Sequence, residues 1–172
     1  SAASDVYKRQ TTTNATRYLL LTDATTGAVS TQYTSSTKIS FNPSTGYLTV
    51  TGLTSPTINN PTVTNYTESV VAIGTVTSSN TLSLTNGTVQ TATLTASTAC
   101  TFTMPTATAG KSFVLLLKQA ASTGNGTATF TGVKWGTAGA PTITATAGKM
   151  DILTFIADGT NWYGSIAQGY TP

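Results

Sequence analysis

The chain has no histidine, one cysteine and few charges: 8% of its 172 residues are Asp, Glu, Lys or Arg, against roughly 25% in a typical soluble domain. Each shortage excludes something. Without histidine there is no Ser-His or Cys-His pair to activate a nucleophile. A single cysteine, Cys100, cannot form an internal disulfide framework and is expected as a small buried hydrophobe. The acids Asp5, Asp23, Glu68, Asp151 and Asp158 show no Asp-x-Asp-x-Asp spacing for calcium. Asp151 and Asp158 are too weak a pair for glycosidase chemistry, which needs two carboxylates at a defined separation. Asp151 is expected to cap a turn or to pair with Lys149 or Lys134. No glycine-rich phosphate loop leads from a strand into a helix. No catalytic, metal-binding or cofactor-binding residue is therefore assigned, and the chain is not read as an enzyme.

Long hydrophobic runs are missing as well. The longest, FVLLL at 113–117, suits a strand and is far too short for a membrane span. Nothing resembles the hydrophobic stretch of a signal peptide. The net charge is +3, but Lys8, Arg9 and Arg17 fall within the first 17 positions. No basic stripe interleaves with aromatics, so neither nucleic acid nor membrane is expected as a partner. The segment SAASDVYKRQ (1–10) differs in composition from the remainder of the chain and is similar to an adaptor-derived peptide. Nothing is inferred from its charges. Asn-x-Thr sequons at Asn14, Asn65, Asn86 and Asn125 arise by chance in so threonine-rich a chain.

What the chain has in abundance is threonine, at 42 positions. Many alternate with apolar residues, as in TATLTASTACTFTMP (91–105). Thr is β-branched, favours strands and carries no charge. Helix is disfavoured throughout. In the first third, RYLLLTD (17–23) and AVSTQY (28–33) read as strands around the turn ATTG (24–27). KISFN (38–42) and YLTVTGL (47–53) read as a hairpin around NPSTG, with Pro and Gly in turn positions. These strands carry few large apolar side chains and need a partner to bury surface. Phe41, Tyr47, Ile58, Val63 and Tyr66 are therefore expected at intersubunit contacts.

The domain scheme has an N-terminal tail at 1–16, a fibre-like hairpin segment at 17–53, a linker at 54–67 and a C-terminal domain at 68–172. Candidate strands in the last part lie at 69–74, 81–85, 89–95, 100–105, 112–120, 127–132, 142–146, 150–158 and 161–169. Such spacing, with Gly, Asn and Ser between, predicts an antiparallel β-sandwich or barrel-like domain. Asn86-Gly87 reads as the turn joining 81–85 to 89–95, and Asp158-Gly159 as a hairpin turn. The run 113–117 is apolar on both faces. Its strand is either covered on both sides or has its outer face in a subunit interface. Trp135, Trp162 and Tyr163 are either lid or core aromatics or rings that stack on a surface glycan.

The order of the C-terminal motifs is similar to that of bacteriophage tail-fibre, head-fibre and capsid-decoration proteins. The motifs are Met104-Pro105, a glycine-led strand over 110–119 reaching Lys-Gln, Val-Lys-Trp at 133–135, Pro-Thr-Ile at 141–143, an Asp-led hydrophobic strand from 151 and Trp-Tyr-Gly at 162–164. SFNPSTGYLTVTGL (40–53) resembles the short repeated unit of the same fibres. The resemblance spans about 18–53 and 66–166. It implies an all-β structural protein on the virion surface, a homotrimer with slender intertwined N-terminal hairpins. The implied partners are the major capsid protein or other virion proteins, with a host-surface glycan as a further partner if the chain is a receptor-binding tip. A subunit of an extracellular surface filament is the remaining alternative.

Overall fold

Thr-Gly at the end of NPSTG does what the local chemistry asks. In the computed structural model, which describes residues 20–22, 32–34, 39–53 and 56–172, β3 (Ile39–Asn42) and β4 (Tyr47–Val50) pair antiparallel around this turn. Gly46 has φ +72°, a left-handed conformation that suits glycine. Its N–H donates to the Asn42 carbonyl at 2.9 Å, and the Ser44 N–H donates to Asn42 Oδ1 at 3.0 Å. The side chain of Asn42 thus closes the turn before the strands meet. Before it, β1 (Leu20–Thr22) and β2 (Gln32–Thr34) form a second antiparallel pair. The expected tail at 1–16 and turn at 24–27 lie outside the described residues. The chain divides into two units, 1–62 and 63–172.

In the second unit the strands run β5 (Val70–Val76), β6 (Ser79–Thr81), β7 (Val89–Leu94), β8 (Ala99–Thr103), β9 (Ser112–Lys118) and β10 (Thr127–Thr131). They continue as β11 (Val133–Lys134), β12 (Met150–Ala157) and β13 (Trp162–Tyr170). The first six do not fold back on one another. β5 pairs parallel with β7 and β7 parallel with β9, while β6 pairs parallel with β8 and β8 parallel with β10. Each successive pair of strands is one coil. Three coils stack into a parallel β-solenoid with two sheets: a three-stranded one ordered β10-β8-β6 and a six-stranded one ordered β11-β13-β12-β9-β7-β5. The hairpin β12–β13 extends the wide sheet antiparallel beyond the last coil.

This overturns the antiparallel sandwich or barrel. The alternation of apolar and polar residues is the same in a parallel and an antiparallel strand, so it cannot choose between them. The turn at Asn86-Gly87 is corrected with it. β6 and β7 lie in different sheets, so Asn86 and Gly87 sit at a corner between sheets and join no hairpin. The expected strand 142–146 forms no ladder. Its backbone is held outside any ladder: the Thr144 N–H donates to Asp151 Oδ2 at 2.7 Å, Gln119 Nε2 donates to the Thr144 carbonyl at 2.7 Å, and the Asn125 N–H donates to the Ala145 carbonyl at 2.7 Å. The Asp158 hairpin forms as expected. Asp158 Oδ1 accepts the Thr160 and Asn161 N–H groups, both at 2.7 Å, between β12 and β13.

The core lies between the two sheets. Leu94, Leu115, Leu117, Leu153, Phe155 and Trp162 point inward from the wide sheet, and Cys100 and Phe102 from the narrow one. Burying one such large apolar side chain stabilises the fold by about 1.5–3 kcal/mol. Coil register stacks like on like: Phe102 lies beside Phe130 across β8 and β10, with ring centroids 5.2 Å apart and planes nearly parallel. The threonines take the other face. Ser79, Thr101 and Thr129 form one rung across the narrow sheet, and Thr81, Thr103 and Thr131 the next. The Thr101 and Thr129 hydroxyls stand 3.3 Å apart. Cross-strand hydroxyl pairs of this kind stabilise neighbouring strands without charge.

Candidate functional site: the outer face of the wide sheet

Strand β9 resolves the two-sided apolar run. Phe113, Leu115 and Leu117 are buried in the core, while Val114 and Leu116 alternate to the outer face and remain half-buried. Across the sheet, Val114 sits level with Val89 and Val70 on one side and with Thr154 and Ser165 on the other. One rung away, Ser112 is level with Ile156, Tyr163 and Lys134. Val70 is 62% exposed, Ile156 58% and Tyr163 44%. The result is a mixed surface, with the apolar rows Val70–Val89–Val114 and Ile156–Tyr163 set among Ser112, Thr154, Ser165 and Lys118, on a sheet already paired and cored on its inner side. A concavity of about 560 Å³ indents it, bounded by Glu68, Val89, Val114, Ile156 and Tyr163.

Its polar edge is built from local geometry. Glu68 accepts a hydrogen bond from the Thr88 hydroxyl. Asp158 accepts a bond from the Tyr163 hydroxyl at 2.9 Å in addition to its two backbone donors. The N–H groups of Asn161 and Thr160, then the Tyr163 hydroxyl, stabilise the carboxylate and lower its pKa to about 2. The same carboxylate raises the phenol of Tyr163 above its ordinary value, by its hydrogen bond first and its charge second. The Tyr163 ring is thereby fixed over the outer face.

The other aromatic candidates are packed. Trp162 is 2% exposed; its Nε1–H donates to the Pro105 carbonyl at 2.7 Å, and its ring meets Phe113 edge-on. Trp135 is half-buried and packs edge-on against Phe130 and Phe155. It presses so close to Gly164 that a Cβ there would lie 2.5 Å from Trp135 Cζ3. Of the three rings proposed for glycan stacking, Tyr163 is the one on the surface. Phe41, Tyr47, Ile58, Val63 and Tyr66 are all exposed. Phe41 and Tyr47 lie on the β3–β4 hairpin, and none of the five belongs to the core cluster.

Buried polar groups serve the fold. Asp151 is buried and accepts the N–H groups of Thr144 at 2.7 Å and Gly169 at 2.9 Å. It thus fastens the loop before β12, close to the turn-capping role expected of it, while neither Lys149 nor Lys134 pairs with it. Gln119 bridges Gly126 and Thr144. Sequence reasoning quoted Lys-Gln at the end of the β9 segment as a motif but assigned Gln119 no role. A Gln set directly after an apolar strand, in phase with its buried residues, is the signal that could have marked a buried polar bracket. Among the described residues no group of three His, Cys, Asp or Glu side chains could hold a metal ion, and no helix is long and apolar enough to cross a membrane.

The class defined by this geometry is a short parallel β-solenoid with an antiparallel terminal hairpin and apolar rows on its outer sheet face. Compared with protein families, curated proteins and solved structures, the chain matches none of them.

Proposed function

We propose that the chain is a structural protein of a bacteriophage virion, a trimeric capsid-decoration protein or short head or tail fibre. The observation that carries the assembly part is the outer face of the wide sheet. A sheet with Val70, Ile156 and Tyr163 exposed beside Val89, Val114 and Leu116 presents the kind of surface that marks protein–protein contact. Two further features support it. Among the described residues the outer edges of β5 and β6 have no neighbouring strand, and such edges invite covering by another chain. Phe41, Tyr47, Ile58, Val63 and Tyr66 are exposed in segments with little core of their own. The virion assignment itself comes from the ordered motifs between Met104 and Gly164.

On this reading the mechanism is mechanical. Stacked coils give a rigid body, hydroxyl rungs keep one sheet soluble without charge, and the apolar sheet joins copies to each other or to the major capsid protein. Antibody labelling of intact particles of the encoding phage, viewed by electron microscopy, tests it. Label on the capsid surface or the tail is the expected result; particles that carry none of the protein refute the proposal.

A receptor- or glycan-binding tip is the second reading. It is favoured by one observation, the exposed Tyr163 ring beside a concavity that also carries Ser112, Thr154 and Ser165. Glycan binding that survives Tyr163→Ala would remove its basis.

A further inference from the structure

Besides Lys118 towards one end of β9, the outer face of the wide sheet carries charge at its two edges. Glu68 borders the same concavity as Ser112, Ile156 and Tyr163, on the β5–β7 side. Lys134 stands beside Tyr163 on β11, and Tyr163 beside Ile156 on β12. Trp162 and Val133 point inward at the neighbouring position, so Tyr163 and Lys134 point outward together. Both Glu68 and Lys134 are exposed. β5 and β11 are the opposite edges of the six-stranded sheet. With strands spaced by about 4.8 Å, five intervals separate those edges by about 24 Å. The two charges therefore cannot meet within one chain, and among the described residues Lys134 makes no ion pair.

We infer that this face is where copies of the chain pack on one another, with Glu68 of one copy against Lys134 of the next. A rotation axis running along the strands keeps the level of every residue and brings one edge of a copy's face against the opposite edge of its neighbour's. Acid then meets base at each contact, and the apolar rows Val70–Val89–Val114 and Ile156–Tyr163 lie between them. An axis across the strands would break this match, because Glu68 and Lys134 would both be carried to the far end of the partner's strands. The concavity beside Tyr163 receives apolar side chains of the neighbouring copy. The closed threefold of the proposed function is one such arrangement, and the inference rests on that reading for its copy number alone.

Charge reversal and its rescue test it. The full chain is monitored by light scattering and sedimentation over a dilution series, with far-UV circular dichroism to check that each variant folds. Glu68→Lys and Lys134→Glu lie on the surface and should leave the fold unchanged. Each should raise the concentration of half-assembly about threefold to tenfold, as expected when an exposed ion pair becomes a repulsion. The double variant should restore assembly to near the wild-type concentration. Ile156→Asp, which places a charge in the apolar row, should prevent assembly. A wild-type chain that assembles but ignores both single reversals overturns the assigned face and leaves the assembly reading standing. Restoration in a complex of two copies supports the face and overturns the threefold. A wild-type chain that stays single at every concentration overturns both.

Discussion

Replacing Gln119 by leucine should be among the most damaging conservative changes in the solenoid, whereas the same change at Gln90 should cost little. Both side chains are buried, at 3% and 1% exposure. Gln119 makes three bonds: Nε2 donates to the Gly126 carbonyl at 2.8 Å and the Thr144 carbonyl at 2.7 Å, and Oε1 accepts the Gly126 N–H at 3.0 Å. Leucine removes all of them. The two groups on Gly126 are left buried without partners, at about 1–3 kcal/mol each. Leucine's own burial returns about 1 kcal/mol, so the net loss is about 1–5 kcal/mol, centred near about 3 kcal/mol. Gln90 differs because its Oε1 is buried with no partner already. Leucine there forfeits the partly buried bonds from Nε2 to the Ser83 carbonyl, 2.6 Å long, and to the Gly87 carbonyl, a weak 3.5 Å, but also removes the orphaned oxygen. The two effects offset to within about 1 kcal/mol. Urea unfolding monitored by tryptophan fluorescence measures both. At a loss of about 3 kcal/mol and a slope of about 2 kcal/mol per molar urea, Gln119→Leu should lower the midpoint by about 1.5 M at unchanged slope. Equal shifts for the two variants, or an unmoved midpoint for Gln119→Leu, would refute the reasoning.

The same geometry sets three other outcomes. Trp162→Ala removes a fully buried ring and its bond to the Pro105 carbonyl, and should destabilise by about 3–5 kcal/mol, seen as a lower melting temperature by calorimetry. Asp158 has a folded pKa of about 2, below the unfolded value, so its contribution to the β12–β13 turn is complete above about pH 4 and is lost as pH falls through 2. Carboxyl NMR should show that midpoint, and a titration near 4 would contradict it. The Cys100 thiol is 1% exposed and donates to the Val76 carbonyl, so a thiol reagent should fail to label it in the native protein and label it fully in denaturant. Rapid native labelling would place Cys100 outside the core.

Much of the strand content was legible because it depends on short-range chemistry. Alternating Thr and apolar residues marked β7 and β8, and Asp158-Gly159 and NPSTG marked their hairpins. Cys100 went to the core as a small hydrophobe should. TITAT at 142–146 misled, since its composition is that of a strand while its backbone bonds go to the side chains of Asp151, Gln119 and Gln168 and to the backbone N–H groups of Asn125 and Lys149, outside any ladder. The site was half legible. FVLLL announced that one strand had two apolar faces, but the row that Val114 shares with Val70 and Val89 appears only when the coils stack. Trp135 and Trp162 were open to two readings, packing or glycan stacking, and their contacts with Phe130, Phe155 and Phe113 set Trp162 in the core and Trp135 against it.

The all-β character was already present in the residues, because strand propensity is a property of side chains and their near neighbours. That the strands coil in parallel emerges only from their packing on one another. Val70 lies beside Val89 and Val89 beside Val114, unequal steps along the chain, so no repeat betrays the coils. Alternation tells which side of a strand is apolar. It does not tell which strand will lie alongside, and that choice is made by the burial of the whole core. The same choice sets Lys134 at one edge of the wide sheet and Glu68, just before β5, at the other.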